Sequence, residues 1–219
     1  MAPFGASRAG LMSVAVDDIP DSEILQARYD PSELGTGSYD EIPDLQNDYD
    51  LTGTSINVVD DGRMTSPFFD ADNDQLTNDD IQMSLPFTMC MVLEVDGPTS
   101  DNVPGYTHQD STGYFATYTD SDWRIRGNET LNMRDPVDEV VVGIAHFTES
   151  SEDDTAILFD GDEKERTDGD AGSSDDPEGF EFGAVNGGDN WDGGIGETLL
   201  YDGKPDFDDV IDYLGRWIP

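Results

Sequence analysis

The chain has 219 residues, with 50 Asp and Glu against 10 Lys and Arg, so its formal net charge is −40. A nucleic-acid binder must neutralise phosphates with basic side chains, and five acids per base repel any polyanion and any anionic membrane surface. Direct nucleic-acid contact is excluded on that ground. With no apolar run approaching the roughly 18 to 20 residues that span a bilayer, membrane insertion by a helix is not expected either.

High charge with low hydrophobicity can mean disorder. Here 35% of residues are hydrophobic, and they cluster in β-like runs, so the charge belongs to the surface of a folded domain. Asp outnumbers Glu 37 to 13 and Arg outnumbers Lys 8 to 2. That bias resembles proteins of haloarchaea that accumulate salt. At molar salt the Debye length falls to about 3 Å and self-repulsion becomes tolerable, so folding is expected to need salt.

In chain order, residues 1–19 read as an arm. The first 16 contain no acid and one base, Arg8, where about four acids are expected at the chain-wide frequency. The arm either docks on an acidic partner through Phe4, Leu11 and Met12 with Arg8 as the charge contact, or lies along its own domain as an extra strand. The first of these is the working expectation. No secretion signal is read there, since a basic region followed by a continuous apolar stretch is missing.

Residues 20–219 read as one all-β domain, because short apolar runs alternate with Gly, Pro, Asn and Asp clusters. Strands are expected at Ile24 to Tyr29, Thr54 to Val59, Phe87 to Val95, Tyr114 to Thr119 and Trp123 to Arg126. Five more follow at Glu139 to Phe147, Ala156 to Phe159, Lys164 to Thr167, Phe180 to Val185 and Gly194 to Tyr201. Asp160-Gly161 suits a tight hairpin turn, and Thr167 to Gly179 reads as an exposed loop. Near the C-terminus, Asp206 can cap a helix whose Phe207, Val210, Ile211, Leu214 and Ile218 fall at helical spacing. Cys90 lies in an apolar run and reads as a buried hydrophobe.

Four pieces in order carry a resemblance. These are Pro43-Asp44 with Asn47, Asp50, Leu51 and Thr52; Phe69-Asp70 with Asp74 and Leu76; Ala156 to Gly161; and the closing run from Phe182 to Trp217. Together they resemble the concanavalin A-like, laminin-G-type jelly-roll domains, although Ile42 replaces a frequent Trp and Ala71 a turn Gly. The resemblance implies an antiparallel jelly-roll sandwich with a short C-terminal helix. It covers lectins, glycan-cleaving enzymes and virion modules, so it does not deliver function by itself.

Hydrolases of that type carry Glu-x-Asp-x-x-Glu, because retaining glycoside hydrolysis needs two carboxylates about 5 to 5.5 Å apart. The nearest match, Glu94-Val95-Asp96-Gly97-Pro98-Thr99, lacks the second Glu, and no catalytic residue is assigned. Asp70 to Asp74 has the alternating acids of a calcium loop, but its sixth and twelfth positions are Gln75 and Ile81 in place of Gly and Glu. No metal or cofactor is expected there. His108 and His146 read as satisfied core or edge residues. Of the aromatics, Tyr106, Tyr114, Tyr118 and Trp123 read mostly as core, while Trp191, in a glycine-rich loop with Asn186, Asp189 and Asn190, is the candidate sugar platform.

These readings combine into one expectation: a non-enzymatic, lectin-like virion protein of a haloarchaeal tailed virus, made in the host cytoplasm. It would be displayed on a capsid turret, spike or tail fibre. The arm would join it to other virion proteins in a homo-oligomer, and the jelly roll would bind host surface glycans. The rivals are a polysaccharide-acting enzyme and a host protein-interaction module.

Overall fold

The computed structural model describes residues 19–70, 75–95, 102–108, 114–118, 122–127, 129–134, 139–150, 153–172, 176–183, 191 and 193–219, with backbone alone for 102, 108 and 114–118. The expected arm, with Phe4, Arg8, Leu11 and Met12, lies outside the described residues, as do Asn186, Asp189 and Asn190.

Among the described residues there are fifteen strands and one α-helix. The first eight strands are β1 (Leu25–Tyr29), β2 (Gly37–Ile42), β3 (Leu51–Val59), β4 (Phe68–Asp70), β5 (Leu76–Gln82), β6 (Phe87–Val95), β7 (Asn102–His108) and β8 (Tyr114–Tyr118). They are followed by β9 (Asp122–Arg126), β10 (Thr130–Asn132), β11 (Glu139–Phe147), β12 (Asp154–Phe159), β13 (Lys164–Gly169), β14 (Glu178–Phe182), β15 (Gly193–Tyr201) and α1 (Phe207–Leu214). All ten expected strands are found. The five unforeseen ones hide their signal: β2 and β5 are mostly polar, β7 contains Pro104 and Gly105, and β4 and β10 are three residues long.

Every pairing is antiparallel, along the path β10-β9-β8-β7-β14-β5-β3-β4-β15-β6-β11-β12-β13, with β1 beside β15 and β2 beside β3. Strand β3 passes between the two layers: Thr52 and Gly53 pair with β5, whereas Asn57 to Val59 pair with β4. The path folds over at that point, producing a jelly-roll-type β-sandwich. Between the layers lies the main core, where Leu76, Ile125, Phe180 and Phe182 meet Met89, Met91, Val141 and Phe147.

A second core covers the outer face of the β15-β6-β11-β12 layer. Cys90, Val92, Val142, Ile144 and Leu199 point to that side, and α1 lays Phe207, Val210, Ile211 and Leu214 on them, with Trp217 in the following turn. This explains why β6 is continuously apolar: both of its faces are covered, whereas a strand with one wet face alternates. Asp206 caps α1 as expected, its carboxylate accepting from the N–H groups of Asp208 and Asp209 at 3.0 and 3.3 Å. In the run resembling the jelly-roll family, Gly193 has φ 146°, and a Cβ there would sit 2.2 Å from the Glu94 carbonyl oxygen. Only glycine lets β15 lie this close to β6.

One loop expectation is corrected. Thr167 to Gly179 is not an open loop throughout, since β13 runs to Gly169, β14 begins at Glu178, and Ala171 is buried. The buried Asp154 carboxylate organises this corner, accepting from Thr148 N at 2.7 Å and Ala171 N at 2.9 Å.

Candidate functional site: an open polar groove beside the helix

Register places one stripe of polar side chains on the helix-bearing face. His146 of β11 pairs with Thr155 of β12, Thr155 pairs with Asp168 of β13, and Ile157 pairs with Arg166. Residues alternate in facing along a strand, so His146, Thr155, Arg166 and Asp168 share the face that holds Ile144 and Ile157. Helix α1 covers the apolar part of this face and stops short of the polar part. An open groove of about 690 Å³ remains there, lined by Pro86, His146, Thr148, Thr155, Arg166 and Lys204 among others. A second hollow of about 470 Å³ adjoins it and shares Arg166 and Lys204. Both lysines of the chain, Lys164 and Lys204, line this second hollow.

The histidine tautomer follows from its partners. His146 Nδ1 lies 3.2 Å from the Phe87 carbonyl oxygen, which can only accept, and 2.9 Å from Thr88 Oγ1. The Thr88 hydroxyl spends its proton on the Gly203 carbonyl at 2.7 Å. Hence Nδ1 carries the hydrogen and Nε2 carries the lone pair. Nε2 has no hydrogen-bond partner among the described residues. Burial, then the positive charges of Lys204 and Arg166, push the imidazole pKa down to about 4, so the ring is neutral near pH 7.

Arg166 is half engaged. Its Nε and Nη2 hold the Asp168 carboxylate at 2.8 to 3.0 Å, and these bonds hold Asp168 below the usual carboxylate range. Asp168 also accepts from the Thr155 hydroxyl at 2.7 Å. The stripe therefore offers a fixed acceptor at His146 Nε2, fixed donors at Arg166, and rotatable hydroxyls at its edge. Mounted on adjacent strands, these groups can recognise a hydroxyl-rich ligand by hydrogen bonding.

Of the residues the sequence singled out for ligand binding, Trp191 alone is among those described, and it lies away from the groove. Trp191 is 1% exposed and belongs to the main core, so its ring presents no open platform for a sugar. Its loop position concealed a side chain that turns inward. Trp123 and Tyr106 are buried as expected, and His146 is a buried histidine at 2% exposure, on a strand paired on both sides, that also lines the groove. The side chains of His108, Tyr114 and Tyr118 are outside the described residues. Glu94, the acid nearest a hydrolase motif, accepts from Arg63 Nη1 at 2.8 Å and from Gly194 N at 2.9 Å. Arg63 Nη2 also lies 3.7 Å from Asp70. Among the described residues no group of three or more His, Cys, Asp or Glu could hold a metal. The groove residues were missed in the sequence, though a signal existed: Lys164, Arg166 and Asp168 alternate along one strand and so share one face.

No protein-family model matches the chain, and no curated protein matches it by sequence. Its fold does match solved structures. Trypanosoma rangeli sialidase in complex with sialic acid aligns at a TM-score of 0.60 and 10% identity, over 86% of this chain and 32% of that one. Domain 4 of AbnA, a GH43 extracellular arabinanase from Geobacillus stearothermophilus, in complex with arabinotriose, aligns at 0.61 and 10% identity, over 86% and 97%. The binding domain of botulinum neurotoxin DC in complex with SialylT aligns at 0.54 and 9% identity, over 88% and 51%. The chain thus spans about a third of the sialidase but nearly all of the arabinanase domain. The fold is that of β-sandwich domains of this kind: all-β, antiparallel, closed on one side by a short C-terminal helix.

Proposed function

We propose that this chain is a non-catalytic glycan-recognition module, carried on the surface of a haloarchaeal tailed-virus particle as a turret, spike or tail-fibre component. The observation that carries the glycan reading is the groove, where a neutral histidine acceptor and arginine donors are held on adjacent strands. The fold neighbours include a sialidase solved with sialic acid, an arabinanase domain with arabinotriose and a toxin binding domain with SialylT, and this favours a saccharide over other hydroxylated ligands. Glu94, the acid nearest the hydrolase motif, is tied to Arg63 and Gly194 N, which favours binding over cleavage.

The virion part of the proposal rests on composition. A charge of −40 fits a particle exposed to molar salt, and an acid-free N-terminal segment of 16 residues fits a docking arm for other virion proteins. Weak single contacts in a homo-oligomer would gain avidity from multivalency. The test is size-exclusion chromatography with light scattering in about 3 M salt, a condition that screens the net charge, on the full chain and on a version lacking residues 1–16. A defined oligomer that dissociates into folded monomers on truncation supports the arm. Identical monomers would reject it, and glycan-array binding by the full chain tests the groove separately.

A further inference from the structure

Lys204 differs from the other bases. With five acids per base, each surface cation is expected to be taken by a carboxylate, and Arg28, Arg63, Arg134, Lys164, Arg166 and Arg216 each hold one. Lys204 holds none among the described residues. Its Nζ lies 5.2 Å from the centre of the Phe207 ring, and it is exposed where the two hollows meet. A cation–π contact orients an ammonium without neutralising it, so Lys204 keeps its full charge and its three donors.

Of the acids near Lys204 three are engaged, while Glu149 and Asp153 also line the groove on its far side from the helix cap. Asp168 is held by Arg166 and Thr155, Asp208 by Lys164, and Asp206 by the first N–H groups of α1. Arg166 has spent Nε and Nη2 on Asp168, and Nη1 has no partner among the described residues. One ammonium and one guanidinium edge, both without a carboxylate among the described residues, and one histidine acceptor therefore line the same groove. The geometry points to a saccharide bearing a carboxylate, with the acid on Lys204 Nζ and hydroxyls on Arg166 Nη1 and His146 Nε2. This rests on the reading of the groove as a glycan site. At molar salt the net charge is screened beyond about 3 Å, so contact-range charge decides whether an anion is accepted.

The test is titration of the full chain in concentrated KCl with oligosaccharides containing glucuronate, galacturonate or N-acetylneuraminate, each beside its uncharged methyl ester. A charge-assisted hydrogen bond predicts that at least one acid binds about tenfold tighter than its ester. Lys204→Gln should abolish this preference with circular dichroism unchanged, and Lys204→Arg should restore much of it. If acid and ester bind equally, the glycan site stands and the acidic preference fails. A preference that survives Lys204→Gln also overturns the assignment, as does a sulfated sugar binding through Lys204 when no carboxylated one does. If no saccharide binds at all, the glycan reading falls and this inference with it.

Discussion

Arg28 and Glu197, 169 residues apart in sequence, meet inside the protein, with Arg28 Nε donating to Glu197 Oε1 at 2.7 Å and exposures of 1% and 0%. The carboxylate also accepts from Tyr213 Oη at 2.9 Å, Trp217 Nε1 at 3.2 Å and the Arg216 guanidinium. Burial raises the Glu197 carboxyl pKa, and the two guanidiniums pull against it. This network ties β1 and β15 to the C-terminal turn. A buried pair broken on one side leaves an uncompensated charge.

Arg28→Met is therefore expected to cost about 3 to 5 kcal/mol, because Asp30 loses its cation and the buried Glu197 keeps only Arg216. Denaturant titration in high salt checks this. Adding Glu197→Gln to that variant should cost less than the sum of the two single changes, since the two side chains share one buried network and the second change removes a carboxylate already short of one partner.

Asp44 is the hub of the loop before β3. Its carboxylate accepts from the backbone N–H groups of Arg28, Gln46 and Asn47 at 2.8 to 2.9 Å and of Tyr49 at 3.3 Å. Asp44→Ala strands several donors and is expected to destabilise by about 3 kcal/mol or more. Asp44→Asn retains one acceptor oxygen and should fall between, as thermal melts of the three proteins would show.

His146 has a pKa lowered from its ordinary 6.5 to about 4. As pH falls below 6.5 the unfolded chain takes up a proton that the folded chain refuses, so stability drops across the window from 6.5 to 4. At 1.36 kcal/mol per unit the loss approaches about 3 kcal/mol at the bottom of that window. Melting temperatures measured against pH should show this slope in the wild type and a flatter one in His146→Gln.

Trp191→Ala removes a large core side chain and is expected to cost about 3 to 5 kcal/mol. If the groove is the saccharide site, ligand affinity at saturating salt stays unchanged in the folded fraction. A lost affinity with intact stability would return the sugar platform to Trp191.

Lowering salt from 1 M to 0.1 M lengthens the Debye length from about 3 to about 10 Å, and the repulsion among 50 acids then acts across the surface. Circular dichroism melts against KCl concentration should show a lower melting temperature at each step down. An unchanged melt would reject salt dependence.

The chain alone determined much of this protein. Alternating and continuous apolar runs marked ten of the fifteen strands, with β6 and β11 found at their full lengths, because strand burial depends on local side-chain pattern. The Asp206 cap and the stripe of α1 were equally local. Strands such as β5, with Asn78, Asp79 and Asp80 inside it, form only because neighbouring strands supply hydrogen bonds, and nothing in their own residues announces that. The groove is non-local in the same sense. His146, Arg166 and Lys204 acquire a common role through antiparallel register and through the stopping point of a helix, both of which depend on contacts between distant segments. Composition and periodicity therefore determined the class of the fold and its charged surface, while tertiary packing alone decided that Trp191 would be buried and that Lys204 would line one groove with a neutral histidine.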